Sequence, residues 1–237
     1  MTEKPLSGQL ALVTGASRGI GAATAEALAE AGAHVVLTAR TSGGLEELED
    51  RIHKAGGSAT IAPLDLTESD SIARLATAIG GRWEALDILV MNAAMLGELS
   101  PVPSIDGKQF NTLLTLNVLA NQALLANFDP LLRKSPRGRV LAITSSVAAK
   151  PRAYWGAYGA SKAALETLTL AYGDEVEAIS PIRVAIVDPG ATATKMRANA
   201  FPGEDPATIR QPAEVGAAIA QLVVDDFPSG HRTRIGG

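Results

Sequence analysis

Tyr158 and Lys162 are the two residues of this chain whose types and spacing most clearly suggest chemistry. If the residues around them form a helix, positions four apart lie one turn apart on the same face, so the phenol and the ammonium are neighbours. A nearby positive charge favours the phenolate, and we therefore expect the pKa of Tyr158 to fall from about 10 towards neutrality. A phenol tuned in this way can act as a general acid or base. On its own the pair could equally be two surface residues.

A second pattern lies near the start of the chain, where a glycine-rich turn joins predicted elements. Residues 9–14 are apolar and partly β-branched, which predicts a buried strand. The glycine turn 15–21 follows at once, then a predicted helix over 22–31 and a second strand over 34–39. Glycines allow the backbone to approach a pyrophosphate, and a helix N-terminus offers it free N–H groups. This order of elements favours a dinucleotide-binding unit over a turn that only packs.

Strands and helices alternate along the chain, which predicts a parallel sheet with helices on both faces. In such sheets a ligand lies outside the carboxyl ends of the strands, so residues that follow strand ends should meet at one edge. We find no repeats or linkers and expect one α/β domain over 1–237 with a Rossmann-like, doubly wound sheet. The further strands are predicted at 59–64, 86–91, 139–144 and 182–187, and the further helices at 45–55, from Thr67 or Ser69 to about 79, at 106–132 and at 154–179.

The composition argues against several classes of protein. Hydrophobic residues make up 46% of the 237, too many for a disordered chain. The absence of cysteine excludes disulfides and thiolate catalysis. A net charge of −4 without a basic run gives no reason to expect nucleic acid, and no apolar stretch has the length of a signal peptide or membrane span. The three histidines stand far apart, so we predict no metal site and expect a cytoplasmic protein.

Five segments in order resemble the short-chain dehydrogenase/reductase family over about residues 6–197. The segments that carry the resemblance are Thr14–Gly21, Asn92–Ala94, Asn117, Thr144–Ser146 together with Tyr158 and Lys162, and Asp188–Gly190 with Thr194. The chain departs from the family at Met91 and Ala94, where Asn and Gly are usual. It departs more at its end, where the polar run 231–235 replaces an apolar strand. If that run forms a strand, we expect it at a sheet edge, where charges discourage stray pairing.

The resemblance implies an oxidoreductase that transfers a hydride between NADP(H) and a carbonyl or secondary alcohol substrate. It implies that Tyr158 is the acid/base, that Lys162 lowers its pKa and binds the ribose, and that Ser146 stabilises the oxyanion. Ser146 is favoured over Ser145 because small residues follow it, as in the family. Asn117 would hold a water that links Lys162 to solvent in a proton relay. Considered alone, Asn117 could instead be a helix-interior amide bonded to backbone.

The end of the second predicted strand indicates which cofactor is used. An NAD site places a carboxylate there to bond the 2′-hydroxyl, and Ala39 occupies that position. Arg40 follows and Arg18 lies in the glycine turn, and two guanidinium groups suit a 2′-phosphate, so we expect NADP(H) over NAD(H). By resemblance Asp65 accepts from the adenine amino group, unless it is only an acid before a helix. The cofactor-binding residues that the resemblance implies are Thr14, Gly15, Ser17, Arg18, Gly19, Ile20, Gly21, Arg40, Asp65, Leu66, Asn92, Ala93, Tyr158, Lys162, Pro189, Gly190, Thr192 and Thr194.

Two other functions share part of this pattern. One is a regulatory or sensor protein that binds NADPH with little turnover, which has no need of an acid/base phenol. The other is an epimerase or dehydratase acting on a nucleotide sugar, which usually carries a further substrate domain. We expect residues 192–212 to form a short lid in which Met196, Ala200 and Phe201 make apolar contacts with a small-molecule substrate. Trp155 could line the same pocket or only pack.

The resemblance also implies a homodimer or homotetramer. In the family, subunits pair through two long helices, predicted here near 106–132 and 154–179. Leu124, Leu125, Ala164 and Leu168 could form such a contact, or could equally face the sheet.

Overall fold

The computed structural model describes residues 4–236 and contains a sheet of seven strands that all run in the same direction. The strand order is β3-β2-β1-β4-β5-β6-β7, so the chain crosses over once and continues outwards in the opposite direction. Each crossover between parallel neighbours needs a helix, which accounts for the alternation seen in the sequence. The strands are β1 Leu10–Thr14, β2 His34–Thr38, β3 Ser58–Ile61, β4 Ile88–Met91, β5 Arg139–Ile143, β6 Arg183–Asp188 and β7 His231–Arg234.

Helices cover both faces of this sheet. Helices α1, α2 and α9 bury apolar side chains on one face, and α3, α5 and α7 do so on the other. The central strands are therefore buried throughout, and the predicted α/β, Rossmann-like class is confirmed. The helices are α1 Gly19–Glu30, α2 Ser42–Lys54, α3 Ser71–Gly80, α4 Gly107–Leu114, α5 Ala120–Leu132, α6 Ser146–Ala149, α7 Gly156–Glu177, α8 Lys195–Ala200 and α9 Pro212–Asp225, with single 3₁₀ turns at Val102–Ser104 and Pro206–Thr208.

The long helix predicted over 106–132 is interrupted at its middle. Between α4 and α5 the backbone widens into a π-helical segment, Thr115–Leu119. Single π turns of this kind occur often at functional sites, because they re-aim the side chains on either side. Asn117 lies inside this segment and is fully buried.

The helix predicted to begin at Thr67 or Ser69 begins later, so that capping prediction is wrong. Asp70 precedes the first helical residue of α3. Thr67 instead donates both its amide and its hydroxyl to the Asp65 carboxylate, at 2.9 Å and 2.7 Å, and closes a turn. Helices α6, α8 and α9 have no counterpart among the sequence predictions.

The polar run near the end of the chain does form a strand, and it lies at a sheet edge as expected. Strand β7 pairs in parallel with β6, and Arg232 stands opposite Ile186. Arg232 and Arg234 are exposed, whereas their neighbours are half-buried. Within residues 4–236, none of the helices combines the length and apolar character needed to cross a membrane.

Candidate active site

The residues that follow the strand ends gather at one edge of the sheet, as the parallel arrangement requires. Gly15 follows β1, Asn92 follows β4, Ser146 comes shortly after β5 and Gly190 after β6. Because these strands are neighbours, the four positions line one groove at their carboxyl ends.

Thr14 connects the ends of β1 and β4 beneath this groove. Its hydroxyl donates to the Val90 carbonyl at 3.2 Å and accepts from the amides of Asn92 and Ala93, both at 3.0 Å. The Asn92 side-chain amide donates back to the Thr14 carbonyl at 2.8 Å. Thr14 is fully buried. It therefore positions the turn from below, and its place among the cofactor-binding residues stays a prediction.

The glycine turn presents the start of α1 to the groove. Gly15 and Gly19 have φ of +66° and +59°, a region that favours glycine. Helix α1 begins at Gly19 with no side-chain cap and no acidic residue in its first turn. Its first N–H groups have no helical partner. They are therefore available to an anion, and the helix dipole favours negative charge at this point.

Two arginines stand beside this turn. The start of α2 packs against it so closely that a Cβ on Gly44 would lie 2.9 Å from the Ser17 carbonyl oxygen. Arg18 and Arg40 are exposed, and neither makes an ion pair or side-chain hydrogen bond with any residue in 4–236. Free N–H groups beside two unpaired guanidinium groups form a donor set that fits a pyrophosphate carrying one further phosphate.

Asp65 lies near Arg40, at the end of the segment that follows β3. Its carboxylate accepts from the amide and hydroxyl of Thr67, and these bonds, helped by the Arg40 charge, hold the pKa of Asp65 below its usual value. The remaining predicted cofactor residues fall into two groups. The buried ones are Leu66, Pro189 and Thr192, and the half-buried ones are Ser17, Ile20, Ala93 and Thr194.

Lys162 is buried against the end of β5. It is only 2% exposed, and its Nζ donates to the Ile143 carbonyl at 2.7 Å. Burial lowers the pKa of Lys162 to about 8, against the Glu166 carboxylate, which raises it. The Nζ lies 5.8 Å from the centre of the Tyr158 ring. The two residues share one side of α7, as their spacing predicts, but the ammonium is bonded to the strand.

Tyr158 therefore differs from the expectation that its pKa is lowered. In this structure burial raises the pKa of the Tyr158 phenol above its ordinary value, and the Asp188 carboxylate adds to the effect. The phenol is thus protonated at neutral pH, which is the form that donates a proton. Ser145 and Ser146 flank the start of the short helix α6. Neither side-chain hydroxyl has a hydrogen-bond partner in the described chain, so both are available as donors.

Asn117 has a structural role that agrees with the alternative reading of its amide. Its Oδ1 accepts from the Met95 amide and its Nδ2 donates to the Met95 carbonyl, both at 2.9 Å. The same Nδ2 lies 3.0 Å from the Ser161 hydroxyl, which donates to the Tyr158 carbonyl at 2.8 Å. These contacts give the side chain a structural role, and its part in a proton relay stays a prediction. It fastens the loop after β4 to α7.

The lid segment closes over Tyr158 with apolar groups. The Met196 sulfur of α8 is 3.9 Å from the Tyr158 hydroxyl. Trp155 lies between Tyr158 and Phe201, with ring centres 6.0 Å and 5.7 Å away. Trp155 thus contacts the Tyr158 ring and the lid together, which favours the pocket-lining interpretation.

Charged groups hold the lid together from its outer side. The Arg197 guanidinium forms a two-point ion pair with Glu204, with contacts of 2.6 Å and 2.5 Å. It also covers the Phe201 ring, 3.7 Å from its centre. Because Phe201 packs on Trp155, this cluster fixes the lid against the pocket wall.

Several residues that build the site were missed by the sequence analysis. Ser161 lies inside the Tyr–Lys run, and its small polar side chain was the available signal. Glu166 lies one turn beyond Lys162 on α7 and could have been found from the same i, i+4 spacing. Arg210 donates to the Ile235 carbonyl at 2.9 Å and pairs through backbone with Thr192. No local pattern points to Arg210, because its contacts depend on the tertiary fold.

The fold and the site place this chain in the doubly wound α/β class, and comparison with known proteins narrows that class. The family model described as short chain dehydrogenase matches residues 9–205. The oxidoreductase YciK of Escherichia coli is 35% identical over 224 residues, covering 93% of this chain and 88% of YciK. This chain therefore belongs to the short-chain dehydrogenase family of oxidoreductases.

Solved structures agree with that assignment. A short chain dehydrogenase of Shigella flexneri complexed with NADP is 33% identical, with a TM-score of 0.92 over 98% of this chain and 99% of that one. A short chain dehydrogenase of Escherichia coli CFT073 complexed with NADPH is also 33% identical, with a TM-score of 0.93 over 100% of both chains. The backbone fold of this chain, including the strands that border the groove, is thus shared with both structures over nearly the whole chain.

The Asn117 clamp gives a prediction about stability. Asn117→Ala leaves the Met95 amide and carbonyl without their partners, so we expect a loss of roughly 1–3 kcal/mol in the free energy of unfolding. Asn111→Ala, at an exposed position on α4, is the matched control and should change it by less than about 0.5 kcal/mol. Urea denaturation followed by circular dichroism measures both. Equal losses in the two variants would contradict the clamp.

Proposed function

We propose that this protein reduces a carbonyl compound with NADPH, or oxidises the corresponding secondary alcohol with NADP⁺. The observation that carries the proposal is the position of Tyr158. Its protonated phenol faces Met196 of the lid. It lies at the same edge of the sheet as the N–H groups of α1 that have no helical partner. The complexes of the Shigella neighbour with NADP and of the Escherichia neighbour with NADPH support the same cofactor here.

The residues of the site divide the work as follows. When bound, NADP(H) supplies or accepts the hydride. As the carbonyl oxygen becomes negative, Tyr158 donates its proton to that oxygen, and Ser146 donates a hydrogen bond to the same atom. In the opposite direction Tyr158 takes the proton back. Lys162 supplies positive charge behind the ring and stabilises the phenolate that remains after transfer.

The lid suggests the kind of substrate. Met196 contacts the Tyr158 hydroxyl, Trp155 packs on the Tyr158 ring and Phe201 packs on Trp155. No charged group of the described chain lies within hydrogen-bond reach of the hydroxyl. A carbonyl compound of modest size with an apolar body would replace the Met196 sulfur as the partner of the hydroxyl.

Removal of the phenolic hydroxyl tests the reaction. Tyr158→Phe deletes the proton donor and little else, so turnover of a carbonyl panel with NADPH should fall about 100-fold or more while NADPH still binds. Tyr172→Phe, on the same helix and bonded to Asp129 at 2.8 Å, should keep wild-type turnover. Steady-state kinetics with fluorescence titration of NADPH separate the two quantities. Turnover above half the wild-type rate in Tyr158→Phe would remove Tyr158 from this role.

Cofactor preference is tested at the end of β2. If Arg18 and Arg40 bind the 2′-phosphate, Arg40→Ala should weaken NADPH about ten- to a hundredfold and leave NADH almost unchanged, because a hydrogen bond to a charged partner is worth roughly 1.5–3 kcal/mol. Ala39→Asp should shift preference towards NADH by repelling the phosphate and offering a carboxylate to the 2′-hydroxyl.

Titration of both cofactors against each variant measures these preferences. Arg74→Ala, an exposed arginine on α3, is the control for removal of a positive charge. A wild-type preference for NADH, or equal weakening of both cofactors by Arg40→Ala, would show that the 2′-phosphate is not bound there.

We also propose that the outer side of α5 and α7 is a subunit contact. Leu124 is fully buried in the core, so it is unavailable, but Leu168 and Tyr172 are half-buried and line a groove between the two helices. Light scattering at micromolar concentration should report a dimer or tetramer, and Leu168→Glu should shift it to a smaller species by burying a charge. A wild-type monomer would defeat the proposal.

A further inference from the structure

The edge strand β7 reaches the active site through its charges. Arg232 forms an ion pair with the Glu166 carboxylate, with Nη1 2.5 Å from Oε2. Two residues further on, Arg234 has its Nε 3.8 Å from Oδ2 of Asp188. Side chains two apart on a strand share a face, so both arginines point towards the same side of the sheet. Each pairs with a carboxylate that lies beside the Tyr158–Lys162 pair.

Glu166 is well placed to act on Lys162. It is one turn further along α7, and only 7% of it is exposed. Its second oxygen, Oε1, accepts from the Thr144 hydroxyl at 2.6 Å. Thr144 is adjacent to Ile143, whose carbonyl holds the Lys162 Nζ at 2.7 Å. The carboxylate is thus fixed from two sides, by the strand end below Lys162 and by the edge strand.

The charged and titratable groups around Tyr158 and Lys162 can be named element by element. Strand β5 and the π segment contribute only uncharged groups at this end, because Ile143, Thr144 and Asn117 are the residues that approach. The titratable and charged groups on the elements packed around the pair are Tyr158 and Glu166 on α7, Asp188 at the end of β6, Arg232 and Arg234 on β7, and Arg197 with Glu204 in the lid.

We propose that Glu166, fixed by the Thr144 hydroxyl, is a positioning residue that keeps Lys162 charged, and that Arg232 on the polar edge strand offsets part of the Glu166 charge. A buried ammonium loses most of its hydration and holds its proton only if a negative charge lies nearby. Glu166 provides that charge without binding the Nζ directly, which leaves Lys162 free for the ring side. The effect of Glu166 on catalysis rests on the proposed function. Its effect on the charge of Lys162 does not.

The proton on Lys162 can be followed in the protein without cofactor. Lysine labelled with ¹³C at Cε gives NMR signals that titrate with each amine, and the signal missing from Lys162→Met identifies Lys162. We expect a wild-type midpoint near pH 8. Glu166→Gln removes the negative charge and should lower the midpoint by about one pH unit. Glu177→Gln, at an exposed position on the same helix, should leave it unchanged.

Two further variants separate charge from packing. Glu166→Asp keeps the charge and should titrate closer to wild type than to Glu166→Gln. Arg232→Gln leaves the carboxylate on its Thr144 hydrogen bond and removes a positive charge, so it should raise the midpoint, opposite to Glu166→Gln. If Glu166→Gln fails to fold, the Lys162 midpoint in Arg232→Gln decides whether these charges act on Lys162. A midpoint that is unchanged or raised in Glu166→Gln, or unchanged or lowered in Arg232→Gln, would overturn the proposal.

The pH dependence of kcat/KM connects the charge to the reaction. The rate limb that needs the Lys162 ammonium is lost as the pH rises, so Glu166→Gln should move that limb to lower pH by the same amount as the NMR midpoint. If the wild type reduces no carbonyl compound with NADPH, the proposed function fails, and the NMR titration still decides the role of Glu166. If the rate limb stays in place while the midpoint moves, Glu166 has no part in catalysis.

Discussion

The burial of the Lys162 ammonium is the constraint on which the arrangement of this site depends. Taking a charge out of water is costly unless hydrogen bonds and opposite charge replace the hydration. Here the Ile143 carbonyl supplies the hydrogen bond at 2.7 Å, and Glu166 supplies the opposite charge. Both contacts of Lys162 depend on the parallel sheet, because the sheet places the end of β5 beside the part of α7 that carries Lys162 and Glu166. Glu166 in turn is held by the Thr144 hydroxyl and pairs with Arg232 on the polar edge strand.

The same edge of the sheet brings two different kinds of site together. On one side of β1 the glycine turn presents free N–H groups and two unpaired arginines. On the other side, β5 and α7 carry Tyr158 and its surroundings. Thr14 and Asn92 connect the halves through hydrogen bonds between β1 and β4, and Asn117 connects the loop after β4 to α7. A buried amide or hydroxyl at each junction fixes the distance between the anion-binding turn and the phenol.

Much of this could be predicted from the sequence. The class of fold, six of the seven strands and the helix that carries Tyr158 and Lys162 follow from apolar runs and from spacing, since those depend on local periodicity. The π segment could not be predicted, because a one-residue widening leaves the apolar pattern of 106–132 unchanged. The raised pKa of Tyr158 was also out of reach, because it depends on burial and on Asp188, which is distant in sequence. For Arg232 the sequence indicated an exposed edge, and only the tertiary contact with Glu166 reveals a partner.

The central claim is that this protein transfers a hydride between NADP(H) and a carbonyl compound. Transfer of an isotope label tests it most directly, because the label follows the hydride itself. A carbonyl compound would be reduced by the wild-type protein with NADPH that carries deuterium at C4 of the nicotinamide, on one face of the ring or on the other. When one face of the nicotinamide carries the label, we expect one deuterium on the carbinol carbon of the alcohol. When the other face carries it, we expect none, because the groove holds the nicotinamide ring in a single orientation. Alcohol without deuterium from both labelled forms, or no alcohol from any carbonyl compound while NADPH is bound, would contradict it.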